Sequence, residues 1–377
     1  MKGKRADVAI VGGGLIGCAL ARELAGRGAS VTLIEKAHPG AEASSAAAGL
    51  LAPQAEGLDA GPFFDLALES RDLYPHWVEQ LFEETQMDVG YRRAGILRCA
   101  FPGGEPALEV YDWQWEAGLP VERRDAGGIA ALTAGAVSGA VREALFFPED
   151  ALVDNRRLTE AVRIAAERRG VTFLAPMAAR RFAVAGGRCG GVETEEGLVE
   201  AGHVVNAAGA WASFDPRFPV PVEPVRGQIV EVESRGLQLA AVVESEEVYV
   251  VPRGDSLLLG STTERVGFIK GVTVGAVRRL LAAAARLLPP LEAAGFRRAW
   301  SGLRPGTPDG WPLLGPSSLP GLSLATGHFR NGILLAPVTA LALADELSGR
   351  STRDFSPFSA LRFAECPAPA PIPEMTC

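Results

Sequence analysis

Apolar and polar positions along the chain follow two alternating regimes. Residues 7–12 hold a short continuous apolar run, VAIV, that closes on glycine. From Leu15 to Ala25 apolar residues recur at helical spacing until Gly26 and Gly28 stop them. Residues 30–35, SVTLIE, read as a second buried strand. Strand, helix and strand in about 30 residues make a βαβ unit, which builds parallel sheet with a right-handed crossover. The same regime predicts a helix over 158–169, a strand over 171–174 and an apolar strand over 203–208 that runs into Gly209. It closes with a strand from Leu322 that leads through Gly332 into a helix ending near Ser348. A helix-rich stretch spans 65–87.

In the second regime, segments 91–100, 225–233, 241–251 and 256–263 are strand-like. Several of them alternate apolar with polar, as antiparallel strands with one wet face do. A helix over 277–288 is ended by Pro289 and Pro290. Residues 41–52 are small and read as a flexible loop, not a core element. The interleaving predicts an α/β chain (α+β overall): a Rossmann-like nucleotide-binding domain from discontinuous segments, plus a mostly antiparallel second domain. We assign 1–88, 146–220 and 301–365 to the first and 89–145 and 221–300 to the second, with 366–377 as a loose tail. No internal repeats are present.

Composition alters this picture only by exclusion. The 377 residues are 47% apolar and 22% charged, ordinary for globular chains. The net charge of −8 and the lack of a long basic run argue against a nucleic-acid partner, which needs a positive face. Five scattered cysteines without a CxxC pair predict reduced thiols in a cytoplasmic protein. The basic N-terminus leads into a run broken by glycines, unlike a signal peptide. Residues 333–344 are too short for a membrane span of ~20 residues and contain Pro337, so no membrane is expected. The histidines form no metal-ligand set, and GxSxG is absent.

Gly12, Gly14 and Gly17 form GxGxxG between a strand and a helix. The first glycine permits the tight turn, the second lets backbone approach a pyrophosphate, and the third lets helix pack on strand. Leu15 and Ile16 open that helix, whose free N–H groups attract phosphate. Glu35, eighteen residues after Gly17 and followed by Lys36, is placed to accept hydrogen bonds from ribose hydroxyls. An acid there disfavours NADP; the unit alone leaves NAD and FAD open.

Resemblance elsewhere points to FAD. Residues 41–53, AEASSAAAGLLAP, resemble the second cofactor loop of the D-amino-acid oxidase superfamily, and 204–211, VVNAAGAW, its third flavin-binding strand and turn. Residues 300–315, WSGLRPGTPDGWPLLG, and 327–337, GHFRNGILLAP, are similar to the glycine oxidases of thiamine biosynthesis at almost every position. The resemblance implies an FAD site that includes Ala43, Ser44, Ala48, Gly49, Leu50, Met177 and Gly209. Backbone of His328, Phe329, Arg330, Asn331, Gly332, Ile333 and Leu334 would run along the flavin. It implies that Arg304 and Tyr249 hold a substrate carboxylate and that Arg330 closes the site near the amine. An arginine suits that task through paired charge-assisted hydrogen bonds.

The implied reaction is hydride transfer from the α-carbon to flavin N5, so no base need take that hydrogen, and His328 reads as backbone-held. Glycine would give glyoxylate, ammonia and hydrogen peroxide with dioxygen as acceptor; sarcosine and small D-amino acids stay open. The alternative is a dehydrogenase of D-amino acids, sarcosine or proline with another electron acceptor. Related sarcosine oxidases attach flavin through a cysteine near the arginine loop, and 305–315 hold none, which predicts non-covalent FAD. The resemblance also implies a homo-oligomer, in relatives often a homotetramer. Glu247 and Thr263 are expected beside Tyr249 at the pocket wall.

Overall fold

The computed structural model describes residues 5–102, 111–351 and 353–363; the expected tail at 366–377 lies outside them. Two eight-stranded sheets organise the chain. The first runs, in hydrogen-bonded order, Leu313–Pro316, Leu322–Thr326, Gly197–Asn206, Ala6–Val11, Val31–Ile34 and Thr172–Leu174. Its centre is parallel: Val8 sits opposite Val31 on one side and His203 on the other. A hairpin of Ala179–Ala185 and Arg188–Thr194 extends Gly197–Asn206. The helices Leu15–Gly26, Asn155–Arg168 and Ala336–Leu347 pack together over this sheet, and their apolar faces share one core with Ile10, Val31 and Leu33. The βαβ unit is therefore present as its periodicity predicts, with the helix stopping at Gly26 and Gly28 taking φ +89°.

The second sheet runs Phe296–Gly306, Glu223–Glu233, Ser256–Gly260, Tyr249–Arg253, Val242–Glu244, Ile96–Ala100, Glu143–Phe147 and Glu122–Asp125. All its pairings are antiparallel except Val242–Glu244 with Ile96–Ala100. The expected strand over 241–251 is two strands, because the acidic segment around Glu246 turns, with the Ser245 N–H donating to the Val248 carbonyl at 2.8 Å. The Pro-Gly pair after Arg304 continues its strand without a turn. Pro305 lies inside the strand Phe296–Gly306, at the sheet's edge, where a missing N–H costs no ladder bond.

The small-residue segment 41–52 departs from its reading as a flexible loop. It forms a one-turn helix, Ala43–Ala46, and a short strand, Leu50–Leu51, paired with Ala151–Leu152. Long side chains from distant elements grip its carbonyls. Asn155 donates to Ser44 O (2.8 Å), Arg156 to Ser45 O (3.1 Å), Trp300 to Ala46 O (3.0 Å) and Arg253 to Ala48 O (2.7 Å). Small residues let backbone be held closely; the donors that hold it are remote in sequence.

Arg22, 1% exposed, lies in the first core and pairs with Glu84, which Arg169 also grips. Burial raises the Glu84 pKa, but hydrogen bonds from Arg22 and Arg169 win and hold it below its usual value. Removing this partner leaves a buried guanidinium uncompensated. Glu84→Gln is expected to lower unfolding stability by about 3 kcal/mol near neutral pH, read from urea midpoints. A depressed carboxyl pKa contributes stability above the unfolded value and loses it as pH falls, so the difference should shrink below about pH 4.5.

Candidate active site

A single long cleft runs from the carboxyl ends of the first sheet to one face of the second. At its first end Gly12 takes φ +110°, and a Cβ there would lie 2.3 Å from the Ala207 carbonyl oxygen. Gly17 sits beneath, where a Cβ would come within 2.0 Å of the Gly12 oxygen. Only glycine lets the turn and helix close this tightly. The helix that begins at Leu15 has Gly14 at its N-cap and no side-chain cap of its own, so its first turn keeps N–H groups for an anion. The Leu15 N–H is taken by the Ser44 hydroxyl at 2.9 Å. Glu35 is fixed by backbone: one carboxylate oxygen accepts from Gly13 N (2.8 Å), the other from Ala37 N (2.9 Å). Its remaining lone pairs face the cleft.

Beside Glu35 the cleft carries a clasp between the two sheets' elements. The Lys36 ammonium stands 3.2 Å from the Trp211 ring centroid. Glu42 accepts from Lys270 at 2.8 Å, and the Phe268 ring lies 5.4 Å from that of Trp211. Glu42 and Trp211 both line the cleft, whereas Phe268 and Lys270 come from the loop after Gly260.

The other end is built by β period. In the second sheet Gly302 pairs with Gly227, Arg304 with Val225, and Gly260 with both Ile229 and Tyr249. Alternation therefore puts Gly227, Ile229, Tyr249, Gly302 and Arg304 on one face, and all five line the cleft. The two strand glycines make room for polar side chains. A Cβ on Gly227 would fall 2.4 Å from the Arg304 guanidinium, and one on Gly260 2.4 Å from the Tyr249 hydroxyl. Arg304 donates to Thr262 O (2.9 Å) and to the Ser261 hydroxyl (2.6 Å), which leaves three of its N–H groups. Among the described residues it has no carboxylate partner. Burial lowers its pKa, yet a guanidinium keeps its charge at neutral pH. Burial raises the Tyr249 pKa despite the nearby Arg304 charge, so the phenol stays a donor.

The segment after Thr326 closes the cleft. Phe329 takes φ +46° and gives its N–H to Pro305 O at 3.0 Å, Asn331 N bonds His328 O at 2.8 Å, and the first bond of helical type is Leu335 N to Asn331 O, with residues 328–333 lining the cleft. His328 is buried with its Nε2 3.1 Å from the Thr339 hydroxyl, and burial pushes its pKa down to about 3. It is neutral, and its ring is bonded to the Thr339 side chain, where the sequence reading expects backbone.

Of the residues named from sequence, Gly12, Gly14, Leu15, Ile16, Glu35, Lys36, Ala43, Ser44, Ala48, Gly49, Leu50 and Gly209 line the cleft. So do Tyr249, Arg304, His328, Phe329, Arg330, Asn331, Gly332 and Ile333. Three sit behind the lining. Gly17 supports the turn; Met177 gives its N–H to Glu35 O (2.7 Å), and Ala178 and Ala179 face the cleft instead; Leu334 gives its carbonyl to Ser70 (2.6 Å). Glu247 is a correction: it is exposed and turned toward Arg286 at 3.4 Å, while Thr263 is exposed beyond the strand end. Ser261 and Glu56 occupy the wall in their place. Glu56 pairs with Arg330 at 3.3 Å. Neither carries a local motif; Gly227 and Gly260, glycines inside strand patterns, were the available signal for close approach.

Glycine turn, uncapped helix, anchored ribose acid and a pinned second loop fit an extended dinucleotide, which defines an oxidoreductase of the Rossmann type. Residues 7–346 match the family model of the D-amino-acid-oxidase-type FAD dependent oxidoreductases, and the chain belongs to that family, with FAD as its cofactor. A curated glycine oxidase of Geobacillus kaustophilus is 38% identical over 369 residues, covering 95% of this chain and 97% of the relative. A crystal structure of glycine oxidase from that organism superposes with a TM-score of 0.90 at 36% identity, covering 96% of this chain and 99% of the other. The bifunctional protein ThiO/ThiG of Trichormus variabilis is 38% identical over 90% of this chain, which spans only 52% of that relative. Among the described residues no helix is long and apolar enough to cross a membrane, and no residue cluster could hold a metal.

The clasp makes a direct claim about cofactor retention. Lys270→Ala removes a half-exposed ion pair, a contribution of roughly 0.5 kcal/mol. FAD is expected to dissociate about twofold faster from the variant, read by flavin fluorescence after dilution. High salt should narrow the gap by accelerating the wild type.

Proposed function

We propose that the protein oxidises glycine and other small amino acids, among them sarcosine and small D-amino acids, to the 2-oxo acid and the freed amine: ammonia from the primary amines, methylamine from sarcosine. Dioxygen is the acceptor in this reading, hydrogen peroxide the second product, and FAD is held without a covalent bond. The observation that carries the proposal is Arg304. A charged guanidinium, partly buried, fixed on two sides and without a carboxylate of its own, is a receptor for an anionic group. Tyr249 stands on the same sheet face, with two strands between its own and that of Arg304, and Ser261 lies between the two side chains. The carboxylate of an α-amino acid fits both donors and leaves its α-carbon directed along the cleft.

FAD supplies the two-electron acceptor for the hydride that leaves the α-carbon, and the imino acid formed then hydrolyses in water. The chain's own residues position the substrate for that step. Arg304 and Tyr249 fix the carboxylate, a gain in orientation worth more than the added affinity alone. The positive field of Arg304 favours the neutral amine that oxidation requires. Neutral His328, bonded to Thr339, takes no proton. The amides of residues 330–334, apart from that of Asn331, would donate where negative charge gathers. Similarity to glycine oxidases over nearly the whole chain supports the substrate class, and the match to ThiO/ThiG supports a supply role in thiamine thiazole synthesis.

The test is anaerobic addition of glycine to the purified protein, followed by air. The flavin band is expected to bleach with glycine and return in air with one hydrogen peroxide per cycle. Bleaching that air does not reverse would replace oxygen by another acceptor. A band indifferent to glycine, sarcosine and small D-amino acids would overturn the proposal.

A further inference from the structure

The tripeptide Gln54-Ala55-Glu56 is held by buried polar side chains on every side. Asp150 is fully buried, and its carboxylate accepts from Ala55 N at 2.8 Å and Gln54 N at 3.4 Å. Arg71 bonds the Gln54 side chain at 2.8 Å and stands 3.8 Å from Asp150. Gln114 donates to Gln54 O (3.0 Å), and the Tyr111 hydroxyl donates to Ala55 O (2.8 Å). Burying charges and amides this way costs free energy that apolar packing would not, so the arrangement is worth its cost only if it fixes a geometry. What it fixes is Glu56. The Glu56 carboxylate, its side chain 16% exposed, projects into the same cleft as Arg304 and meets Arg330 at 3.3 Å.

Arg330 is the second guanidinium of the cleft, and the Glu56 carboxylate beside it is the first cause of its raised pKa. Nearby Arg98 is already paired with Glu244 at 2.7 Å. Loss of Glu56 would therefore free one guanidinium, Arg330, in the cleft that Arg304 also lines.

We propose that Glu56 is a specificity-determining residue: by pairing with Arg330 it cancels the cleft's second positive charge and turns away ligands with a second acidic group. Asp150 is its positioning residue, acting through the backbone of Gln54 and Ala55. The inference rests on the reading of Arg304 as the carboxylate receptor. It deepens that reading by restricting the substrates to amines with one carboxylate. Specificity of this kind comes from a repulsive element as much as from an attractive one.

The test uses the FAD-loaded protein and ligands that cannot be oxidised. Acetate, malonate and succinate are titrated while the flavin absorption band is followed. In Glu56→Gln the better dicarboxylate is expected to tighten relative to acetate by about tenfold, and Arg330→Met in that background should abolish the gain. Arg330→Met alone should shift the ratio the other way, because Glu56 is left unpaired. Asp150→Asn should shift it in the direction of Glu56→Gln by about threefold, which a purely structural role would not do. An unchanged ratio in Glu56→Gln, in protein with the wild-type flavin spectrum and melting temperature, overturns the filter alone. Failure of acetate to perturb the wild-type flavin overturns both the filter and the carboxylate reading. A shift as expected in protein that glycine does not reduce overturns only the proposed reaction.

Discussion

The contact of Gly12 with the carbonyl of Ala207 sets the geometry on which the rest of the cleft depends. Two parallel strands, Ala6–Val11 and Gly197–Asn206, end side by side, and their turns meet with no room for a side chain. The helix after Gly14 can then start at the sheet's carboxyl edge with no side-chain cap from its own N-cap residue, while the next strand delivers Glu35 to the same edge. Each consequence is backbone geometry first and side-chain chemistry second. An added Cβ at Gly12 or Gly17 would push the helix away and close the anion site together.

At the far end the same device is used in antiparallel sheet. Gly227 and Gly260 give up side-chain packing so that a guanidinium and a phenol can lie flat on the strands. The site is thus carried on a rigid sheet face, not on loops, and its charges are arranged in contrast. Among the described residues Arg304 has only neutral hydrogen-bond partners, whereas Arg330 is balanced by Glu56. One free charge and one cancelled charge define what the cleft can accept. The buried network behind Glu56 explains why that balance is kept in place.

Much of this was legible in the sequence, for reasons that differ along the chain. The βαβ unit announces itself because apolar period, stop glycines and acid all lie within one short stretch around Leu15 and Glu35. Arg304, Tyr249 and Arg330 came from resemblance; residue type alone does not separate them from surface or packed positions. The segment 41–52 was misread because its rigidity comes from Asn155, Arg156, Arg253 and Trp300, more than a hundred residues away. Glu56 and Ser261 were missed for a related reason: each matters through a partner that only the fold brings near. Glu247 was misplaced because the strand before Tyr249 breaks, which sends its side chain to solvent and Arg286.

The central claim is that Arg304 receives the substrate's carboxylate. Its most direct measurement is the anaerobic rate of flavin reduction across glycine concentrations in wild type and Arg304→Met. If Arg304 is the receptor, the variant should bind FAD yet need at least about 100-fold more glycine to reach half its limiting rate, a loss of roughly 3 kcal/mol. Saturation at the wild-type glycine concentration would contradict the account, because the carboxylate would then be held elsewhere.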